Sequence, residues 1–291
     1  MLITEKMQQT AFSPSEKILI DYILKQRQEI KNKTTKQISL ETYTNPSMLV
    51  RIAKKLGYDG WTELKHIFLE EIKYLDSHFE NIDANIPFEN QDNVMTIASK
   101  MAMLNQATIN DTLSLIQYET LQKAVLLLTK ASNIKIFTNN ENVLISQDFV
   151  LRMNRIGQHT TLCMTGGEQV YEACTCNIDT CAILISYTGE TDQFSKITSI
   201  LKKRKIPIIA MTSIGQSALA DHADCVLRIT TREKLYSKIS SFTTTTSICY
   251  LLDVLYSCVF SQDYDGNLKR KIAISKMADR RKTSSKIIEE S

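Results

Sequence analysis

From about residue 119 to residue 230 the chain alternates short apolar runs with helical stretches, and this alternation limits the possible folds more than any other feature. The candidate strands are Ile134–Thr138, Thr160–Met164, Cys181–Ser186, Pro207–Thr212 and Cys225–Ile229. Helical patterns lie between them, among them Val143–Arg155 and Asp192–Lys205. Short buried strands joined through helices of this length read as βαβ units around a parallel sheet. Ligands of such sheets sit beyond the carboxyl ends of the strands.

One strand end carries chemistry. The buried run Ala182-Ile183-Leu184-Ile185 leads into Ser186-Tyr187-Thr188-Gly189-Glu190-Thr191 and then a helix. Hydroxyls at 186, 188 and 191, a flexible Gly189 and a helix N-terminus make a neutral cradle for a phosphate. Loops of Ser, Thr and Gly also simply cap helices, and the spacing leaves both readings open.

The N-terminal third is helical. Ser13-Pro14-Ser15-Glu16 forms a capping box with proline in the first turn, and Ile18, Leu19, Tyr22 and Ile23 follow as the expected buried stripe. A second short helix is expected over Thr35–Thr42 with Ile38 inward. In Tyr43–Gly57, Asn45 is an N-cap, Pro46 fits the first helical position, and Gly57 is a C-terminal stop. Leu49, Ile52, Ala53 and Leu56 share one apolar face; Ser47, Met48, Arg51, Lys54 and Lys55 share the other. A short helix, a tight turn and a helix with a polar, cationic free face is the helix-turn-helix arrangement. On that geometry Ser47, Met48 and Arg51 lie nearest the bases and Lys54 and Lys55 nearest phosphate, with Asn45 a further DNA-binding candidate. The alternative is a helical bundle whose exposed face is basic.

Charge is sorted along the chain. Residues 1–75 carry +3, residues 76–265 carry −5 and residues 266–291 carry +5. A basic head and tail around an acidic body favour a polyanionic partner. The Asn-rich, acidic stretch at 78–92, broken by Pro87, reads as a linker, with a helix resuming from Val94 through Ile116. The expected organisation is a DNA-binding domain over 1–77, a linker over 78–92, an α/β domain with its leading helices over 93–265, and a basic tail over 266–291. No apolar stretch long enough to span a membrane stands out, and Glu5, Lys6, Gln8 and Gln9 interrupt any signal-peptide core. Seven scattered cysteines fit reduced thiols in a cytoplasm. Cys174-Thr175-Cys176 with Cys181 lacks the second ligand pair of a metal site, so no metal or cofactor is assigned.

The run Leu49-Val50-Arg51-Ile52-Ala53-Lys54-Lys55-Leu56-Gly57-Tyr58-Asp59-Gly60-Trp61-Thr62-Glu63-Leu64-Lys65, with the opening Phe12-Ser13-Pro14-Ser15-Glu16, resembles the DNA-binding domain of RpiR/MurR-type regulators. The chain departs from that pattern at Tyr43, where the family often has a small residue or glycine, and at Met48, where it often has threonine. The run Ile185-Ser186-Tyr187-Thr188-Gly189-Glu190-Thr191 is similar to the phosphosugar loop of SIS (sugar isomerase) domains. Met211-Thr212 and Ser217-Ala218-Leu219-Ala220-Asp221-His222-Ala223-Asp224 resemble the next part of that domain. A further departure is Thr138-Asn139-Asn140-Glu141-Asn142, which stands where SIS domains usually carry a glycine-rich loop.

The two resemblances imply an all-α helix-turn-helix domain followed by an α/β domain with a parallel, doubly wound five-stranded sheet. They imply a cytoplasmic transcriptional regulator of carbohydrate metabolism genes. Its partners would be double-stranded operator DNA and a phosphorylated sugar or amino sugar. The effector would meet Ser186, Tyr187, Thr188, Gly189 and Thr191, with Asn140 and Asn142. Paired half-sites imply a homodimer or homotetramer, with no membrane partner. Glu233 and His222 are the candidate acid/base residues of an isomerase, and neither stands in a catalytic signature, so no enzyme activity is assigned. The competing readings are a phosphosugar isomerase with a helical appendage and a ligand-independent regulator that uses its SIS domain to dimerise. The hydroxyl cluster Ser240–Thr246 either joins the effector pocket or caps the last long helix.

Overall fold

The computed structural model describes residues 2–76, 82–164 and 167–278. Residues 78–81 of the expected linker and Arg280-Arg281-Lys282 of the basic tail lie outside the described residues. The chain forms two compact units. One holds the residues up to Ser114 with 214–217 and 230–243; the other holds 115–213, 218–229 and the chain from 244 on.

The first unit opens with α1 (Ile3–Gln9), a helix that the sequence reading does not anticipate. Its N-terminus is capped from a distance: Glu71, buried, accepts the N–H groups of Ile3 at 2.6 Å and Thr4 at 2.9 Å. Then come α2 (Pro14–Gln26), a 3-10 turn over Arg27–Asn32, α3 (Thr35–Glu41), α4 (Pro46–Lys55) and α5 (Trp61–Leu75). The inward stripe of α2 is Glu16, Leu19, Ile20 and Ile23. Ile18, expected inside, is 53% exposed, and Tyr22 is only partly buried. The stripe keeps the spacing i, i+3, i+4, i+7 but begins on a carboxylate, which an apolar template passes over. Ile3, Met7, Ile38, Leu49, Ile52, Leu56, Trp61, Leu64 and Phe68 join it in one core.

Residues 82–92 and α6 (Val94–Ser114) belong to the same unit. The segment read as a free linker is tied down where it is described. Asn85 donates its side-chain amide to Arg232 O at 3.2 Å and accepts from Lys234 N at 2.7 Å; its carbonyl accepts from Ile239 N at 2.9 Å. Asn and Asp bind backbone in fixed loops as readily as they solvate a tether, so composition does not distinguish the two.

The second unit runs α7 (Tyr118–Lys130), β1 (Asn133–Thr138), α8 (Glu141–Arg155), β2 (Thr160–Cys163), α9 (Glu168–Cys174), β3 (Thr180–Ile185), α10 (Asp192–Lys203), β4 (Ile208–Thr212), α11 (Ala218–His222) and β5 (Cys225–Arg228). The five strands are parallel in the order β2-β1-β3-β4-β5, the doubly wound topology. Every residue of β3 and β4 is buried. Alternate residues feed two cores. Ile134, Ile136, Ile183, Ile185, Ile209 and Met211 pack with α7, α8 and α12 (Phe242–Ser261); Phe137, Ala182, Leu184, Ile208 and Ala210 pack with α9, α10 and α11. α12 is long and apolar enough to cross a membrane by length and composition, where the sequence reading finds no such span. Its Ile248, Leu251, Leu252, Leu255 and Val259 are buried in the first of these two cores. An exposed helix, α13 (Tyr264–Ala278), carries the described part of the basic tail.

Candidate DNA-binding face and effector crevice

The helix-turn-helix is built by local rules. Asn45, in extended backbone at the N-cap, accepts both the N–H and the hydroxyl of Ser47 at 3.0 Å, and Pro46 opens α4. Gly57, at φ +91°, ends the helix in the left-handed conformation that favours glycine. Leu49, Ile52, Ala53 and Leu56 are buried, whereas Ser47, Arg51, Lys54 and Lys55 are exposed. Met48, read as part of the free face, is half-buried and packs against the core. In the turn between α3 and α4, Thr44 N donates to Ser39 O at 2.9 Å, and Tyr43 lies between them at φ +53°.

The free face is not electrostatically idle. Arg51 Nε donates to Glu16 Oε1 at 3.0 Å and Lys55 Nζ to Glu16 Oε2 at 3.2 Å. Lys55 also stands 4.9 Å from the Phe12 ring centre. Glu16 is 4% exposed, and Oε2 accepts the N–H of Ser13 at 2.8 Å. That backbone bond, opposed by burial and helped by the Ser13 hydroxyl and Lys55, lowers the Glu16 pKa to about 2. The sequence identifies Glu16 as the third residue of a capping box and gives no sign of its second role, because its partners lie two helices away.

The second candidate site lies at the switch point of the sheet, where β1 has β2 on one side and β3 on the other. Thr138 and Ile185 are register partners, and the Thr138 hydroxyl donates to Ile185 O at 3.1 Å. The loops that follow them, 139–142 and 186–191, therefore leave neighbouring strand ends. In the second loop Ser186 Oγ accepts Gly189 N at 3.1 Å, Gly189 takes φ +67°, and Thr191 caps α10 by accepting Phe194 N at 3.4 Å. Tyr187 O accepts Ser213 N at 3.1 Å and Gly189 O accepts Leu219 N at 3.2 Å, which fixes the loop against β4 and α11. Ser186 and Gly189 are buried, Tyr187 and Thr188 half-buried, and Thr191 exposed at the rim.

In the first loop Asn140 is exposed at φ +55° and precedes α8 without capping it through its side chain. The Asn142 side-chain carbonyl and the Ser146 hydroxyl, one turn on, are buried without a hydrogen-bond partner among the described residues. Behind the loops lies an amide network that the sequence reading does not contain. Gln169, fully buried, donates to Thr138 O at 2.7 Å, Cys163 O at 2.8 Å and Asn139 Oδ1 at 3.2 Å. Gln193 donates to Gln169 at 3.3 Å and accepts from Asn139 at 3.2 Å. One amide from each of the segments after β1, β2 and β3 thus joins a single network at the carboxyl ends of these strands.

Glu233 accepts the N–H and hydroxyl of Thr243 at 2.6 and 2.8 Å and pairs with Lys238 at 2.7 Å, so it caps the start of α12. His222 is exposed at the end of α11. Burial pushes the thiols of Cys163 and Cys181 up to about 12 and that of Cys225 up to about 11, which makes them inert core residues.

Residues 1–73 match the helix-turn-helix domain of the rpiR family and residues 127–256 match the SIS domain. An uncharacterized HTH-type transcriptional regulator of Caldanaerobacter subterraneus subsp. tengcongensis is 25% identical over 262 residues, covering 88% of this chain and 89% of that protein. The NanR protein of Vibrio vulnificus, solved in complex with ManNAc-6P, superposes with a TM-score of 0.60 at 17% identity, over 96% of this chain and 99% of that one. The sugar isomerase domain of an RpiR transcription factor from Sphaerobacter thermophilus gives a TM-score of 0.55 at 17% identity, over 62% of this chain and 98% of that one.

Proposed function

Because the chain belongs to the RpiR family of helix-turn-helix regulators and carries a SIS domain behind its N-terminal one, we propose that α4 reads operator DNA under the control of a phosphorylated sugar or amino sugar bound at the β1/β3 crevice. The observation that carries this reading is the exposed polar face of α4, opposite a face buried in the core. In a recognition helix the N-terminal residues meet the bases. On that rule Asn45, Ser47, Met48 and Arg51 contact base edges, and Lys54 and Lys55 contact phosphate.

In the crevice, the backbone N–H groups at the start of α10 and the hydroxyls of Ser186, Thr188 and Thr191 hold the phosphate, with Tyr187 and Gly189 shaping the loop. Asn140 and Asn142 take the place of a glycine-rich loop and offer amides to the rest of the sugar. The solved NanR protein with ManNAc-6P bound supports that ligand class. The effector acts by binding one conformation of the regulator better than the other. The chain works in the cytoplasm as a homodimer or homotetramer, as two-fold half-sites require.

A mobility-shift assay with the promoter region flanking the chain's own gene, with and without a panel of phosphosugars, tests this. A specific band that one sugar phosphate strengthens or weakens is the expected result. A band indifferent to every sugar would remove the effector from the reading, and no band at moderate salt would overturn it.

A further inference from the structure

Arg51 is held from behind by a buried acid. Its side chain is 62% exposed, whereas that of Glu16 is 5% exposed. The carboxylate is fixed before it meets the cation: Oε2 accepts Ser13 N at 2.8 Å, and Glu16 N donates to Ser13 Oγ at 3.4 Å. Oε1 takes Arg51 Nε at 3.0 Å, and Oε2 is shared with Lys55 Nζ at 3.2 Å. Mobile surface ion pairs have little directional content. This one has direction, because one partner is locked into the core by its own helix cap.

The atom that Glu16 engages decides what Arg51 has left. A guanidinium presents its N–H groups as a rigid planar fork. With Nε engaged by Glu16, Nη1 and Nη2 have no partner among the described residues, and the Nη1–Nη2 edge of the 62% exposed side chain is left to bind. That end of the fork matches guanine O6 and N7 in the major groove. Lys55, drawn to the same carboxylate, has part of its charge compensated and loses part of its pull on phosphate.

We propose that Glu16 is a positioning residue for DNA recognition: it anchors Arg51 through Nε so that Nη1 and Nη2 read O6 and N7 of one guanine in the operator. This rests on the reading of α4 as the recognition helix. The inference separates specificity from affinity, because removing the Glu16 charge loosens the reader and at the same time frees a cation for the phosphates.

The test uses the full chain and its Glu16→Gln and Arg51→Lys variants. Glutamine is also accepted at this place in a capping box, so Glu16→Gln keeps the helix start. A preferred duplex is selected from a random-sequence library with the unaltered chain. Binding is then measured to that duplex, to a shuffled duplex, and to versions with each guanine replaced in turn by 7-deazaguanine, which lacks the N7 acceptor. At one guanine the unaltered chain should lose about tenfold in affinity. Both variants should reduce that penalty to about twofold, and Glu16→Gln should bind the shuffled duplex as well as or better than the unaltered chain. A Glu16→Gln variant that weakens on both duplexes while keeping the full 7-deazaguanine penalty would assign Glu16 a structural role only and overturn the proposal. A selected duplex with no sensitive guanine would overturn it while leaving α4 as the DNA-binding helix. Failure to enrich any duplex would remove that reading, and this proposal with it.

Discussion

Tyr43 is the residue at which a local rule is broken. It sits in the turn of the helix-turn-helix at φ +53° and is 98% exposed, so its side chain gains no packing for the left-handed backbone it adopts. For a residue with a Cβ that conformation costs about 1–2 kcal/mol, and glycine gives back part of this in unfolded-chain entropy. Tyr43→Gly should stabilise the chain by about 0.5–1 kcal/mol, seen as a higher denaturant midpoint at unchanged slope. An unchanged or lower midpoint would show that the extra unfolded-chain entropy of glycine cancels the relief of the left-handed backbone. The resemblance to the family marked position 43 as unusual but gave no reason for it; the backbone angle supplies the reason. Arg51 makes the same point from the other side, since its place on the free face was legible from helical spacing and its anchor was not.

At the scale of elements, legibility follows the range of the forces involved. α4 could be read almost entirely from the chain, because Asn45, Pro46 and Gly57 define its ends within a few residues and its apolar face repeats at helical spacing. The strands were legible for the same reason, as buried apolar runs between helices. α9 is not among the elements expected from the sequence, yet its Gln169 holds the carboxyl ends of β1 and β2 together through Thr138 O and Cys163 O. Nothing local marks that glutamine, because its partners are carbonyls of two strands brought side by side by the sheet. Gln169→Leu would leave those buried carbonyls without their amide donor and should destabilise the chain by about 1–3 kcal/mol, measured by equilibrium unfolding. A smaller effect would mean that the sheet alone fixes these strand ends.

At the scale of the whole molecule, a buried polar cluster forms where three distant segments of the first unit meet. Asp111, fully buried on α6, accepts from Tyr74 Oη at 2.8 Å, from the Thr230 hydroxyl, and from Arg232 Nη2 at 2.8 Å. Arg232 also closes the end of α5 by donating to Leu75 O at 2.9 Å and Tyr74 O at 2.5 Å, and it stacks 4.2 Å from the Tyr74 ring centre. Burial, reinforced by the Asp111 charge, raises the Tyr74 phenol well above its ordinary range, so it stays protonated as a donor. Arg232→Ala would leave Asp111 buried without its cation and should destabilise the chain by about 3–5 kcal/mol, as for other broken buried pairs. A loss below about 1 kcal/mol, the scale of an exposed pair, would show that Asp111 relaxes to water.

The sequence by itself determined the ends and apolar face of α4, the parallel α/β class and the hydroxyl-rich loop that leads into α10. These follow from interactions within one turn or one strand, and they are written in adjacent residues. Only the tertiary structure decided that Glu16 holds Arg51, that Gln169 ties two strands, that Asn85 is anchored and that Arg232 reaches Asp111. Each of these joins groups far apart in the chain, whose chemistry is set by burial and direction, and neither quantity exists until the chain has folded.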